Sequence, residues 1–323
     1  MSRSSLFALV ATFLAATLAQ AFAAPKVVTT IRPLHSIVAN VMGDVGSPVL
    51  LLDGATSPHT ATFKPSQAQF LQDADAVFWI GPVMETFLAN SLDTIPQNAV
   101  VKEMMEAKGV TTLPLRGKHD HDHDHSHSKK KHDHDHDHDD HTKGNDDLSE
   151  ETLDGHIWLD PQNAAAMALA IAETLAEKDA ANAETYRANA KTFAASLKPL
   201  SEEVAALLKE VSGQTYFVQH DAYQYFEKRF GLAQPVPVSI NPQTRPGAAS
   251  VRALRERMAQ AEQPCLLSEP QLGSALADSL VADSGGRLGV VDPLGQNHEP
   301  GPALYAALLR DMAASFKACV DGS

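Results

Sequence analysis

Cysteine is nearly absent, with only Cys265 and Cys319 in 323 residues. Neither has a Cys or His close by, so zinc modules built on paired C-x-x-C spacing are excluded, as is a small disulfide-dense scaffold. No H-E-x-x-H pair occurs, which removes the helix-borne metalloprotease site. Cationic side chains are also few: 26 Lys and Arg stand against 40 Asp and Glu, a formal net charge of -14 that argues against nucleic acid as a partner. No stretch reaches the ~20 apolar residues that a helical membrane span needs.

The most apolar run is short and lies near the start. Arg3 supplies a positive n-region and residues 6–18 an apolar h-region. Ala21-Phe22-Ala23 then places small residues for cleavage after Ala23. The expectation is a signal peptide over 1–23, export to the periplasm, and no lipid anchor, because no Cys follows the h-region. In that oxidising compartment an isolated cysteine pair reads as a disulfide rather than two free thiols. A Cys265–Cys319 bridge would staple the C-terminal helix to its domain and close a loop of about 55 residues, worth a few kcal/mol in the chain-entropy estimate.

About 300 mature residues allow two domains. Short apolar, β-branched runs at 26–30, 48–52, 76–80, 100–102, 156–159, 215–219, 236–240, 266–268 and 288–291 read as buried parallel strands. Helical patterns at 66–74, 84–91, 163–177 and 222–230 alternate with them, which predicts an α/β fold with parallel sheets. Residues 182–211 read as one long helix, with Tyr186, Phe193, Leu197, Leu200, Val204 and Leu208 at spacings of three and four. Pro199 should kink or break it. This helix divides the chain into an N-terminal lobe, 24–181, and a C-terminal lobe, 212–323.

One segment cannot join a core. Residues 117–147 hold ten Asp against five Lys, a local charge of -5, and ten of the fifteen histidines. These are His119, His121, His123, His125, His127, His132, His134, His136, His138 and His141. Alternation of imidazole with carboxylate is a metal-binding composition, and the segment is expected to be a mobile loop. Its affinity per site should be modest, because such a loop loses entropy when it wraps an ion.

Five histidines lie elsewhere: His35, His59, His156, His220 and His298. His59 follows the run 48–52 in a turn, His156 opens Gly155-His156-Ile157-Trp158-Leu159-Asp160-Pro161, and His220 directly follows 215–219. In open α/β sheets ligands gather outside the carboxyl ends of strands. Three imidazoles with a carboxylate or water form a tetrahedral set suited to Zn²⁺. Asp292, directly after 288–291, is the candidate carboxylate.

The motifs then carry a resemblance. Thr30-Ile31-Arg32-Pro33, Asp53-Gly54-Ala55 leading to His59, Lys64-Pro65-Ser66, the His156 motif and His220-Asp221-Ala222-Tyr223-Gln224-Tyr225-Phe226 belong to one pattern. Asn241-Pro242, Pro246-Gly247, Ser268-Glu269-Pro270-Gln271 and Asp292-Pro293-Leu294-Gly295 complete it. Over nearly the whole mature chain the sequence resembles the ZnuA-like periplasmic zinc-binding proteins of ABC importers. The resemblance implies two α/β lobes joined by a long rigid helix, with Zn²⁺ as cargo held between them by His59, His156 and His220. It also implies a permease and ATPase as partners, a monomeric binding protein rather than an enzyme, and a Cys265–Cys319 disulfide.

His220 favours zinc, since manganese-type relatives usually carry a carboxylate there. The His/Asp loop falls where zinc-specific members carry a similar one. Some zinc-type relatives have a Glu ligand just before the first His. Pro58 stands in that place here, which leaves the fourth position to Asp292 or water. His35 and His298 are outside the pattern and are expected at the surface. A zinc hydrolase is the weaker alternative: the trio lacks a general base, and Glu269, the best candidate, is expected to pack or orient near the cleft. A periplasmic zinc buffer without a permease needs the same site.

Overall fold

The computed structural model describes residues 24–116 and 153–322, apart from 55, 241, 243 and 245. The export segment 1–23 and the His/Asp-rich tract with its ten histidines lie outside the described residues.

The apolar runs pair as two parallel four-stranded sheets. In the N-terminal lobe β1 (Val27–Thr29), β2 (Val49–Leu50), β3 (Ala76–Trp79) and β4 (Val100–Glu103) lie in the order β2-β1-β3-β4. Every residue of β1 and β3 is buried, which is why these central strands show no polar alternation. A two-residue antiparallel ribbon follows, β5 (Leu113–Pro114) against β6 (Leu153–Asp154). In the C-terminal lobe β7 (Phe217–His220), β8 (Val236–Ser239), β9 (Cys265–Ser268) and β10 (Arg287–Val290) lie in the order β10-β9-β7-β8.

The helices are α1 (Arg32–Met42), α2 (Pro65–Gln72), α3 (Ala89–Leu92), α4 (Pro161–Lys178), α5 (Ala183–Leu208), α6 (Gln224–Phe230), α7 (Ala248–Gln260), α8 (Ala275–Ser284) and α9 (Leu304–Asp321). Three readings are corrected. Residues 156–159 are not a strand: Ile157–Leu159 is a 3₁₀ turn, with all three side chains buried, leading straight into α4. The cause is the helix start behind it, where Asp160 accepts from the Gln162 amide as N-cap and Pro161 occupies the first turn. The 84–91 pattern shrinks to the single turn α3. Of the kink or break expected at Pro199, the break does not occur: α5 runs through it.

The α5 helix spans 26 residues, about 39 Å at 1.5 Å per residue. It is no free strut. Its buried stripe, Tyr186, Ala190, Phe193, Leu197, Leu200, Val204 and Leu208, packs on α4, α1 and α9, and one hydrophobic core runs through both lobes. Polar contacts add to this seam. Arg32 of α1 donates to the His298 carbonyl (2.7 Å), and Asn40 to the Pro302 carbonyl (2.8 Å). Ser36 donates to Pro302 and accepts from the Tyr305 amide (3.0 Å). The Cys265–Cys319 disulfide ties β9 to α9, with the Cα atoms 5.4 Å apart. Among the described residues no helix is long and apolar enough to cross a membrane.

Candidate metal centre

His59 is placed by a tight turn in which the Thr60 amide bonds to the Ser57 carbonyl (3.1 Å). His156 leads the 3₁₀ turn, anchored by Trp158, whose indole donates to the Pro293 carbonyl (2.9 Å) while its own carbonyl accepts from Tyr305 (2.7 Å). Gly155 before it lies against Met84 and Val83, where an added Cβ would meet side-chain carbons at 3.0–3.2 Å. His220 ends β7, in the sheet's interior.

These three histidines, from distant segments, converge. One ring nitrogen from each lies within 4.8 Å of the others, and the ring centroids are 5.0–5.2 Å apart. His59 Nε2 and His156 Nε2 are 3.3 Å apart. A tetrahedral ion with Zn–N bonds of ~2.0–2.1 Å requires nitrogens about 3.3 Å apart along each edge.

Two rings are oriented from behind. Asp154 Oδ1 takes both the His156 backbone amide (3.0 Å) and its Nδ1 (2.7 Å). Glu269 Oε1 faces His220 Nδ1 at 3.2 Å. A carboxylate only accepts, so each Nδ1 carries a proton, and in the neutral ring each Nε2 is left with a lone pair. This is the carboxylate–histidine arrangement that fixes tautomer and ring orientation in metal sites.

The electrostatics differ from ring to ring. Burial, and then the His156 and His220 rings, hold His59 well below its ordinary 6.5, so it stays neutral. Burial pulls His220 down too, but Glu269, with help from Asp154 and Asp221, outweighs it and raises the ring. A cavity of about 470 Å³ opens beside the trio, walled by Pro82, Val83 and Thr86 on one side and Asp221 and Ile240 on the other. Glu85 stiffens the first wall by accepting from the Thr30 hydroxyl and from the Ile80 and Gly81 amides (3.0 Å each). Its own burial pushes it up to about 7.

The other candidates are engaged elsewhere. Asp292 is outside the cluster: its carboxylate accepts from Gln271 (2.7 Å), the Leu294 amide (3.0 Å) and the Gln296 amide, which organises the loop after β10. His298 pairs with Asp311 at 2.7 Å. His35 is not a surface residue; it is buried in α1 with Nε2 at the Pro48 carbonyl (3.1 Å). Glu269 lies beside the His220 ring at the cleft, and Asp154 takes the same place behind His156 without having been singled out in the sequence. Its only signal was a carboxylate two residues before His156.

The chain matches the family described as "Zinc-uptake complex component A periplasmic" over residues 27–319. It belongs to the ZnuA family. The high-affinity zinc uptake system protein ZnuA of Brucella abortus (strain 2308) is 40% identical over 304 residues, covering 91% of each chain. The protein of that name from Paracoccus denitrificans (strain Pd 1222) is 35% identical over 323 residues and 99% of each chain. The fold is likewise similar to a crystal structure of ZnuA, with TM-score 0.71 and 22% identity over 91% of this chain and 99% of that one. It is similar as well to a zinc-bound ZnuA deletion mutant, with TM-score 0.73 and 22% identity over 92% and 98%. The two parallel sheets and the long helix of this chain are thus the ZnuA-family architecture.

Proposed function

We propose that this chain is the zinc-binding component of an ABC-type zinc importer, a cargo binder and not an enzyme, in which His59, His156 and His220 hold one Zn²⁺ between the lobes. The observation that carries the reading is the 3.3 Å approach of two Nε2 atoms beside a third imidazole, with one nitrogen of each ring within 4.8 Å of the others. Imidazole donors suit zinc over manganese, which prefers oxygen ligands. With the Asp292 carboxylate committed to its own loop, water takes the fourth position. Family membership supports the transport role: relatives 33–40% identical, among them that of Yersinia pestis, carry the name high-affinity zinc uptake system protein. The chain works in the periplasm as a monomer after loss of residues 1–23, and delivers its ion to a permease driven by a cytoplasmic ATPase. The His119–His141 tract collects further ions at lower affinity.

The test is a Zn²⁺ and Mn²⁺ titration of the mature protein lacking residues 119–141, alongside its His59→Ala partner. One tight zinc site that survives the deletion, rejects Mn²⁺ and collapses in His59→Ala is the expected result. Loss of all tight binding on deletion would leave a His-tract buffer instead.

A further inference from the structure

Three consecutive residues at the start of α6 reach both carboxylates behind the histidines. Tyr223 is fully buried and donates to Glu269 Oε1 (2.8 Å), the oxygen that faces His220 Nδ1. Gln224 spends both amide hydrogens on the ribbon of the other lobe, one on the Pro114 carbonyl (3.0 Å) and one on Asp154 Oδ2 (3.2 Å). Tyr225 donates to the Asp154 carbonyl (2.7 Å) and accepts from the Leu113 amide (2.9 Å). Leu113 and Asp154 are direct partners across the β5–β6 ribbon, so Gln224 and Tyr225 hold both of its strands. The ribbon is only two residues long on each side, too short to fix a side chain by its own ladder.

We propose that Tyr223, Gln224 and Tyr225 are positioning residues for metal capture, through which the C-terminal lobe sets the ring of the N-terminal lobe's ligand His156 as well as that of its own His220. None of the three touches the ion. They act on the carboxylates, and the carboxylates act on the rings. Without Gln224 and Tyr225 on the ribbon, Asp154 loses its partners and the His156 ring its fixed orientation, so the contact between the lobes and the grip on the ion are coupled.

The inference rests on the three-histidine reading, and the experiment separates the two. Zn²⁺ affinity of the full mature chain is measured by competition with a chromogenic chelator for Gln224→Met, Tyr225→Phe, Tyr223→Phe and His156→Ala. The d–d absorption band is recorded with one equivalent of Co²⁺, and unfolding of each metal-free form is followed by heat. Each positioning variant should weaken zinc about tenfold, the usual effect of removing an outer partner of a metal ligand, and shift the cobalt band. Gln224 is partly exposed, so Gln224→Met keeps the fold even if a tyrosine variant does not. Wild-type affinity and an unchanged cobalt band in Gln224→Met, with tight binding lost in His156→Ala, would overturn the positioning role and leave the trio standing. A lowered unfolding temperature with an unmoved cobalt band would likewise reduce the segment to packing. Wild-type zinc binding by His156→Ala would sink the trio itself.

Discussion

At the residue scale, protons and zinc compete for the same lone pairs, and the three rings enter that competition unequally. His59, held down by burial and its two neighbours, is uncharged near neutrality. His220, raised by Glu269 against the pull of burial, still carries one when an unperturbed imidazole would have lost it. Zinc binding near pH 6.5 should therefore release a proton from His220 and none from His59. Affinity should climb about tenfold per pH unit until His220 is neutral, then level off. Calorimetry in buffers of different ionisation enthalpy reads the proton count, and a flat affinity from acid to neutral pH would contradict this assignment. The signs for stability of the metal-free protein are opposite. His59, depressed when folded, contributes stability in full above the unfolded value near 6.5, and it is lost as pH falls toward the depressed folded value. His220, raised when folded, contributes below the unfolded value and loses this as pH rises through the folded one.

At the element scale, two ties hold short pieces of structure that local propensity would not. The first is the disulfide between β9 and α9, which closes a separation of 54 residues. Gly289 of β10 packs so closely on it that an added Cβ would meet Cys319 Cβ at 2.8 Å. A Cys265→Ala, Cys319→Ala double variant should lose about 4 kcal/mol of unfolding free energy in the chain-entropy estimate, with zinc affinity unchanged. Denaturant unfolding and a zinc titration check the two halves. The second tie is Arg116, just beyond β5, which forks onto Asp221 (2.8 Å) and Glu227. Both carboxylates are at least 96% buried. Arg116→Ala leaves two buried carboxylates uncompensated and should cost about 3–5 kcal/mol, read by thermal or denaturant unfolding. A loss below 1 kcal/mol would mean the pair is hydrated and of little weight. The missed elements belong to this scale too. Leu34, Ile37, Val38 and Val41 carry the helical spacing of α1, yet the helix was not anticipated. The 156–159 run, by contrast, could not be separated from a strand by periodicity, because three or four apolar residues fit either period.

At the scale of the whole molecule, the lobes share a core and are bonded on both flanks, by α1 with the 298–302 loop and by α6 with the β5–β6 ribbon. Wide hinge closure would break both seams at once. Small-angle scattering profiles of metal-free and zinc-loaded protein should therefore overlay, and a marked contraction on loading would show a hinge. Zinc at a thousandfold excess over its dissociation constant should add about 4 kcal/mol to the stability by mass action, and a chelator should remove it.

Composition and pattern alone determined the α/β class, the buried parallel strands, the long helix near 182–211 and the three histidines worth watching. These follow from burial and from backbone propensity, which act over a few residues and so leave their mark in the local sequence. What the tertiary structure decided is how the histidines meet. His59 and His156 are 97 positions apart, and their 3.3 Å contact depends on how the Trp158 turn seats against the C-terminal lobe. The same holds for Asp154 behind His156, for Asp292 turning to its own loop, and for α5 lying packed along α4, α1 and α9. The His59–His156 contact and the packing of α5 join segments remote in the chain, whereas the two carboxylates lie near their partners in sequence; in every case the contact made is set by the fit of surfaces that exist only once the core has formed.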